Sequence, residues 1–228
     1  GLEAVAYRPL RRRNASRLSF LITAIGMSFV LQEFVHFILP SLIDGYGGSN
    51  AQQPIMLVVP ETQFTVFGAD VSNVTLVIIA AALMLALLTD TAINRTRLGR
   101  GIRAVAQDPA TATLMGVSRE RIIMTTFLIG GLLAGAAALL YTLKVPQGII
   151  YSGGFLLGIK AFSAAVLGGI GNLRGALLGG LLLGVMENYG QALFGTQWRD
   201  VVAFVLLVLV LFFRPTGILG ESLGKARA

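Results

Sequence analysis

The sequence contains few of the cysteine, histidine and charged residues on which soluble enzymes rely. It contains no cysteine and a single histidine, His36, so it offers neither a disulfide framework nor a metal site built from thiols or paired histidines. Only 13% of its 228 residues are charged, whereas soluble domains carry about 25%. Hydrophobic residues make up 55%, which leaves too little polar surface to cover a fold in water. The composition therefore predicts a membrane protein.

The sequence also lacks a loop for nucleotide hydrolysis. Such a loop follows the pattern G-x-x-x-x-G-K-[ST], but Ala226 follows Gly224-Lys225, and Leu219 stands where the first glycine belongs. One histidine is too few for most metal centres and leaves a buried serine without the usual base. We therefore expect no enzyme, no metal site and no cofactor in this chain.

Long apolar runs fill most of the chain. A helix needs about 20 mostly apolar residues to cross a membrane. Two runs meet this without interruption and four others are interrupted, which predicts six spans: Leu18–Leu42, Val71–Thr89, Ile122–Leu143, Phe155–Gly171, Ala176–Phe194 and Val201–Phe213. The predicted fold class is all-α, a polytopic bundle of transmembrane helices in a single domain, residues 1–228. Six crossings place both ends of the chain on one side.

Basic residues are distributed unevenly among the connections. Fifteen of the 18 lie before the first span, between the second and third, between the fourth and fifth, or after the sixth. The connection at residues 44–72 contains Asp44, Glu61 and Asp70 and no basic residue. By the positive-inside rule, the basic side is cytoplasmic. Both chain ends and residues 95–121 are therefore predicted to be cytoplasmic, and residues 44–72 to form a periplasmic loop.

Within that loop, "TQFTVFGADVS" (residues 62–72) alternates apolar and polar residues around Gly68 and Ala69. The alternation predicts a small hairpin, and a plain loop is the alternative.

Farther along, "KVPQGIIYSGGFLLGIKAF" (Lys144–Phe162) contains Pro146 and several glycines. It predicts either a broken, re-entrant helix or a loop at the outer surface.

The polar stretch "QDPATATLMG" (Gln107–Gly116) lies between two apolar runs. Asp108 is a good N-cap, Pro109 suits the first helical position, and Gly116 suits a left-handed stop. The stretch predicts a short helix with sharp ends, and a well-capped loop is the alternative. Such a helix is better suited to docking in a groove of another protein than to entering lipid.

Glycines four residues apart recur in the predicted spans. Backbones can approach closely at such positions, so this spacing predicts tight helix packing and is compatible with thin helices that line a solute path. The glycines predicted to pack closely are Gly131, Gly135, Gly171, Gly175, Gly179, Gly180 and Gly184.

Ionisable residues inside apolar runs are costly and mark candidate functional sites. An antiparallel pair of helices joined through Gly171–Gly175 places Lys160 level with Glu187, so the two are predicted to pair. A structural ion pair, a role in substrate passage or gating, and separate exposure near the surface all remain open. The other polar candidates for a path or interface are Gln32, Glu33, His36 and Asn188.

Four stretches resemble the LivH-type permeases of branched-chain amino-acid ABC transporters, and together they run over nearly the whole chain. They are "YRPLRRR" (Tyr7–Arg13), "RGIRAVAQDPATATLMGV" (Arg100–Val117), "GIKAFSAAVLGGIGNLRGALLGGLLLGVMEN" (Gly158–Asn188) and "FRPTGILG" (Phe213–Gly220). Members of that family usually have further membrane helices before the first motif, so we expect the natural chain to be longer at its N-terminus.

The resemblance implies a permease subunit of a bacterial inner-membrane importer. Its partners would be a second, LivM-like permease, two ATP-binding subunits that hold ATP and magnesium, a periplasmic substrate-binding protein and membrane lipid, with no nucleic acid. Family members also carry urea, short amides and other amino acids, so these solutes are alternatives to branched-chain amino acids. An ion-coupled secondary transporter is the alternative mechanism.

The resemblance further implies that residues 106–116 form the coupling helix that contacts an ATPase subunit. The importer signature of Glu-Ala-Ala followed by Gly is not kept, since Gln107 and Asp108 stand nearby. The residues implied in coupling are Ala106, Gln107, Asp108, Pro109, Ala110, Thr111, Ala112, Thr113, Leu114, Met115 and Gly116.

Overall fold

The computed structural model divides the chain into two compact units, Gly1–Ser152 and Gly153–Ala228. It describes residues 3–12, 16–38, 62–66, 69–144, 153–169, 171–214 and 216–220. Helices dominate both units, as the apolar runs predict. The fold class, a polytopic helical membrane protein, is confirmed.

The first unit opens with helical segments. A π-helical turn, α1 and α2 span Glu3–Tyr7, Arg8–Arg12 and Arg17–Phe37. The Glu3 carboxylate is buried and pairs with the guanidinium groups of Arg8, at 3.4 Å, and Arg11. α2 covers most of the first predicted span, and residues 39–42 of that span lie outside the described residues.

A two-stranded hairpin leads into the second predicted span and takes up its first two residues, Val71 and Ser72. β1 (Thr62–Val66) pairs antiparallel with β2 (Ala69–Ser72), and Thr65 lies opposite Asp70. The hairpin predicted from the alternation is confirmed. The rest of the predicted periplasmic loop, residues 44–61, lies outside the described residues.

Two long helices of the first unit qualify as membrane spans by length and composition. α3 (Asn73–Arg95) and α6 (Arg119–Lys144) are both long and apolar enough to cross a membrane. Ser72 begins α3, because its hydroxyl accepts a hydrogen bond from the Thr75 N–H. No residue of α6 is buried within the protein. A helix that is apolar all round and unburied is suited to lipid as its solvent.

Two shorter helices connect α3 to α6: α4 (Arg97–Gln107) and α5 (Pro109–Leu114). The predicted short helix is confirmed as α5. α4 is not predicted from the sequence, and Ala106 and Gln107 lie in its last turn rather than in the short helix. Extended backbone at Asp108 separates the two helices.

The second unit is a helical hairpin followed by a third helix. α7 spans Gly154–Gly168, α8 spans Leu173–Phe194, and α9 spans Arg199–Phe213 after a short 3₁₀ turn. The chain bends by 118° between α7 and α8. Gly169, with φ +111°, ends α7, and the Asn172 side chain begins α8. The predicted fourth span is therefore shorter than expected, because α7 ends three residues before Gly171.

The predicted number of spans is larger than the number of long helices. Three helical stretches among the described residues are long and apolar enough to cross a membrane, namely α3, α6 and Thr196–Phe213, or four if α7 and α8 together count as one bent span. α2 contributes a shorter apolar helix, Ile22–Phe37. Helices lie at all six predicted places, but α2, α7 and α8 are not among the helices that meet this test singly.

The close packing predicted for glycines is present where α7 meets α8. A Cβ atom on Gly175 would lie 2.4 Å from the Gly168 carbonyl oxygen, and one on Gly179 would lie 2.2 Å from the Ala164 oxygen. At Gly180 the nearest atom would be the Ala164 Cβ, at an ordinary 3.9 Å. At four other glycines no atom of the described residues lies within 4 Å of an added Cβ, and close packing there stays a prediction: Gly131, Gly135, Gly171 and Gly184.

The segment after α9 folds over the end of α7. The backbone N–H groups of Ile218 and Leu219 donate to the carbonyl oxygens of Leu167 and Gly168, at 2.9 and 3.0 Å. The Asn172 amide nitrogen donates to the Leu219 carbonyl at 3.0 Å. Helix ends leave their last carbonyls without partners, so this segment completes the hydrogen bonding of α7.

Candidate functional site

The start of α5 is fixed by the Asp108 side chain. Its Oδ1 atom accepts hydrogen bonds from the N–H groups of Ala110, at 2.9 Å, and Thr111, at 3.3 Å, and its Oδ2 atom accepts one from the Thr111 hydroxyl. These hydrogen bonds, the hydroxyl's foremost, hold the pKa of Asp108 below its usual value of 3.8. Pro109 occupies the first helical position, where its missing N–H costs nothing.

α5 ends at a glycine in the left-handed conformation. Gly116 has φ +84°, and its N–H donates to the Thr113 carbonyl at 3.0 Å. The Val117 N–H donates to the Ala112 carbonyl at 3.0 Å. This pair of hydrogen bonds is the Schellman motif. Both ends of α5 are therefore determined by local chemistry, as Asp108 and Gly116 predict.

α5 has one buried face and an exposed apolar tip, which consists of Leu114 and Met115. Ala112 is 5% exposed, whereas Leu114 is 88% exposed and Met115 is 80% exposed. Full burial of one such large apolar side chain stabilises by about 1.5–3 kcal/mol. α5 is thus held to its own unit through Ala112 and presents two apolar side chains for an apolar groove.

α4 connects α5 with the end of α3 and packs against it. The Arg103 guanidinium donates to the Ile93 carbonyl at 2.6 Å and to the Asn94 side-chain oxygen at 3.3 Å. Gly99 lies against the same Ile93 carbonyl, where an added Cβ would come within 1.8 Å of the oxygen. α4 therefore crosses the last turn of α3 at contact distance.

A second group of polar residues lies in the second unit. The Lys160 Nζ atom lies 3.0 Å from Glu187 Oε1 and 2.6 Å from Asp200 Oδ1, and Arg199 Nε donates to Glu187 Oε2 at 3.0 Å. We call Lys160, Glu187, Arg199 and Asp200 the ionic cluster. The pairing of Lys160 with Glu187, predicted from the antiparallel register, is confirmed. The cluster joins α7, α8 and α9.

Burial differs sharply within the ionic cluster. The side chain of Glu187 is 5% exposed and that of Lys160 is 19% exposed, whereas those of Arg199 and Asp200 are 43% and 48% exposed. A buried charge is tolerated only when paired, and Glu187 has a cation at each oxygen. Arg199 and Asp200 are not predicted from the sequence, although their position directly before the last apolar run marks them as charges at a helix start.

The remaining polar candidates do not join the ionic cluster. Asn188 is exposed, and its amide donates to the Gly184 carbonyl one turn earlier in α8, at 2.7 Å. In the first unit, the His36 Nδ1 atom lies 3.8 Å from the exposed Glu33 carboxylate, and Gln32 is half-buried. Of the predicted broken segment at 144–162, residues 145–152 lie outside the described residues. The role of these residues in a path stays a prediction.

Acidic residues and the histidine do not gather into a metal centre in the part of the chain that the structure describes. No group of three or more histidine, cysteine, aspartate or glutamate side chains there could hold a metal ion.

Comparison with known proteins gives a consistent picture. The family described as branched-chain amino acid transport system / permease component matches residues 8–211. The high-affinity branched-chain amino acid transport system permease protein BraD of Pseudomonas aeruginosa is 46% identical over 231 residues, which cover 96% of this chain and 69% of BraD. The permease protein LivH of Escherichia coli is 41% identical over 228 residues, covering 96% of this chain and 69% of LivH.

A more distant relative is the permease protein LivM of Escherichia coli, which is 30% identical over 155 residues, covering 66% of this chain and 36% of LivM. No solved structure matches the chain.

Proposed function

Because this chain belongs to the family of branched-chain amino acid transport permease components, we propose that it forms part of the solute path of an ABC importer for branched-chain amino acids. The observation that carries the proposal is the 46% identity to BraD over 96% of the chain. Three helices able to cross a membrane support it. The importer lies in the bacterial inner membrane, with both ends of this chain cytoplasmic.

The energy for transport comes from partner subunits. Two ATP-binding subunits hold ATP and magnesium, a periplasmic protein delivers the solute, and a second permease completes the path. The similarity of this chain to LivM supports a second permease of related fold. This chain contributes no covalent chemistry and no nucleotide site of its own.

α5 transmits the motion of the ATPase subunits. Leu114 and Met115 insert into an apolar groove of one such subunit, and their exposure supports this. Only Val117 and Ser118 separate Gly116 from α6, and Arg103 links α4 to the end of α3. Closure of the ATPase subunits therefore moves α5 together with two membrane helices, which shifts access to the path.

Uptake measurements test the solute. Cells that carry the full-length gene with its partner subunits are given labelled leucine, urea or a short amide. We expect saturable leucine uptake that excess isoleucine or valine suppresses. Strong urea or amide uptake without leucine uptake would replace the proposed solute while leaving the permease role intact.

A variant of the apolar tip tests the role of α5. Leu114→Gln removes the most exposed apolar side chain of α5 without touching either cap, and we expect normal insertion but loss of most solute-stimulated ATP hydrolysis. Thr126→Ala is the control, because it changes an exposed residue of α6 outside the coupling segment. Wild-type ATPase coupling in Leu114→Gln would remove α5 from the mechanism.

A further inference from the structure

Exposed arginines lie around the junction of α3, α4 and α6. The six are Arg95, Arg97, Arg100, Arg103, Arg119 and Arg121, and all are exposed. The Arg103 guanidinium is used within the chain, since it donates to Ile93 and Asn94. Among the described residues, the guanidinium groups of Arg97 and Arg100 have no ion pair or hydrogen bond. Two free cations therefore remain on α4.

α4 lies beside the membrane surface. It begins two residues after α3 ends, and α3 is long enough to span the hydrocarbon core. The contacts of Gly99 and Arg103 with Ile93 turn α4 across the end of α3, so α4 does not continue outward along the axis of α3. α4 therefore stays at the level where lipid headgroups begin.

The two sides of α4 differ in character. Val105 is buried, and Leu98 and Ile102 are half-buried, so this side of α4 is turned towards the protein. Arg97 and Arg100 are three residues apart, which places them on a common side of the helix, and both are exposed. We call these two arginines the basic face of α4.

We propose that the basic face of α4 binds the phosphate of an anionic lipid headgroup. A guanidinium group donates two parallel hydrogen bonds to phosphate oxygens and keeps its charge at any physiological pH. Basic residues directly beside a membrane helix are attracted to anionic lipid. The position of α4, the two unpaired guanidinium groups and the buried apolar side all favour a lipid over a soluble anion.

The bound lipid holds α4 against the membrane surface. Since Asp108 alone separates α4 from α5, the lipid also fixes where α5 meets its partner. The inference concerns the lipid and does not depend on which solute the permease carries, so it fails or holds independently of leucine uptake.

Native mass spectrometry of the complete transporter in detergent tests the proposal. The probes are phosphatidylglycerol, zwitterionic phosphatidylcholine, and glycerol 3-phosphate as a headgroup without acyl chains. We expect retention of phosphatidylglycerol over the other two. The variant R97Q/R100Q should lose about fivefold in lipid affinity for each arginine. K144Q, which removes an exposed cation at the other end of α6, should retain wild-type affinity.

Salt provides a second measurement that needs no variant. Exposed charges are screened at high ionic strength, so phosphatidylglycerol retention by the wild-type complex should fall as salt rises. The proposal is overturned by unchanged retention in R97Q/R100Q, by equal losses in K144Q, by equal binding of glycerol 3-phosphate, or by salt-independent retention. Loss of an ATPase subunit from R97Q/R100Q with lipid still bound also overturns it, because the basic face would then be a protein interface.

Discussion

The Lys160 ammonium group lies 3.0 Å from the buried Glu187 carboxylate, and the two residues come from the facing helices α7 and α8. Each has a second partner from the start of α9: Asp200 for Lys160 and Arg199 for Glu187. The four charges balance, so the cluster is neutral when all are ionised. The arrangement fixes where α9 begins relative to the hairpin.

Neutral substitutions should reveal the coupling between Lys160 and Glu187. Either K160M or E187M leaves a buried charge with one partner fewer, and we expect each to lower the free energy of unfolding by about 2 kcal/mol. The double variant removes both charges, so its loss should be smaller than the sum of the two single losses. Thermal unfolding of the purified permease in detergent measures this.

A double charge reversal is a poorer test, because residue 160 also faces Asp200 and residue 187 also faces Arg199. K160E/E187K would therefore create two like-charge contacts. Strictly additive losses in the neutral series would show that the 3.0 Å approach of Lys160 and Glu187 contributes nothing to stability.

Alanine substitutions should separate packed glycines from open ones in α8. G179A places a Cβ 2.2 Å from the Ala164 carbonyl oxygen, which forces α7 and α8 apart, and we expect a loss of about 2 kcal/mol in unfolding free energy. G184A meets nothing within 4 Å and should be neutral or stabilising by up to about 1 kcal/mol. Similar unfolding midpoints for the two variants would contradict the described contact.

Asn172 should connect two parts of the second unit. Its oxygen accepts from the N–H groups of Arg174 and Gly175, while its nitrogen donates to the Leu219 carbonyl. N172D keeps the acceptor and loses the donor, so we expect faster hydrogen exchange at the N–H groups of Ile218 and Leu219 and little change at Gly175. N172A removes both the donor and the acceptor, so it should accelerate exchange at the N–H groups of Ile218, Leu219 and Gly175. Unchanged exchange at Leu219 in N172D would exclude the connection.

The cap of α5 should weaken in acid. Hydrogen bonds lower the pKa of Asp108 in the folded protein, so ionised Asp108 stabilises α5 above its unfolded pKa, and this stabilisation is lost as pH falls through the lowered value. The stability advantage of the wild type over D108N, which cannot ionise, should therefore be constant near neutral pH and shrink below about 3.8. Unfolding midpoints of both proteins over this pH range measure the advantage. A stability advantage that grows as the pH falls would contradict the prediction.

Local chemistry explains which parts of the fold the sequence predicts. Asp108, Pro109 and Gly116 determine the ends of α5 through their own hydrogen bonds and dihedral angles, so no tertiary information is needed. The Lys160–Glu187 pair follows from a short turn and the constant rise of two antiparallel helices. The hairpin at 62–72 follows from alternation and its turn residues.

The features that the sequence does not predict depend on contacts between elements. α4 contains Gly99 and Gly101, which disfavour a helix by about 1 kcal/mol each, and its packing against Ile93 compensates. Arg199 and Asp200 reach the ionic cluster only because the turn after α8 returns α9 towards Lys160. Four-residue spacing marks Gly131 and Gly179 alike, but only Gly179 has a helix backbone against it.

The energy source of transport tests the central claim most directly. The complete transporter, reconstituted in liposomes, is supplied with binding protein and labelled leucine, with ATP either present or absent at the ATPase subunits. We predict leucine accumulation that requires ATP hydrolysis and persists when ionophores collapse proton and sodium gradients. Accumulation without ATP that an imposed ion gradient drives would contradict the account, because it would make the chain part of a secondary transporter.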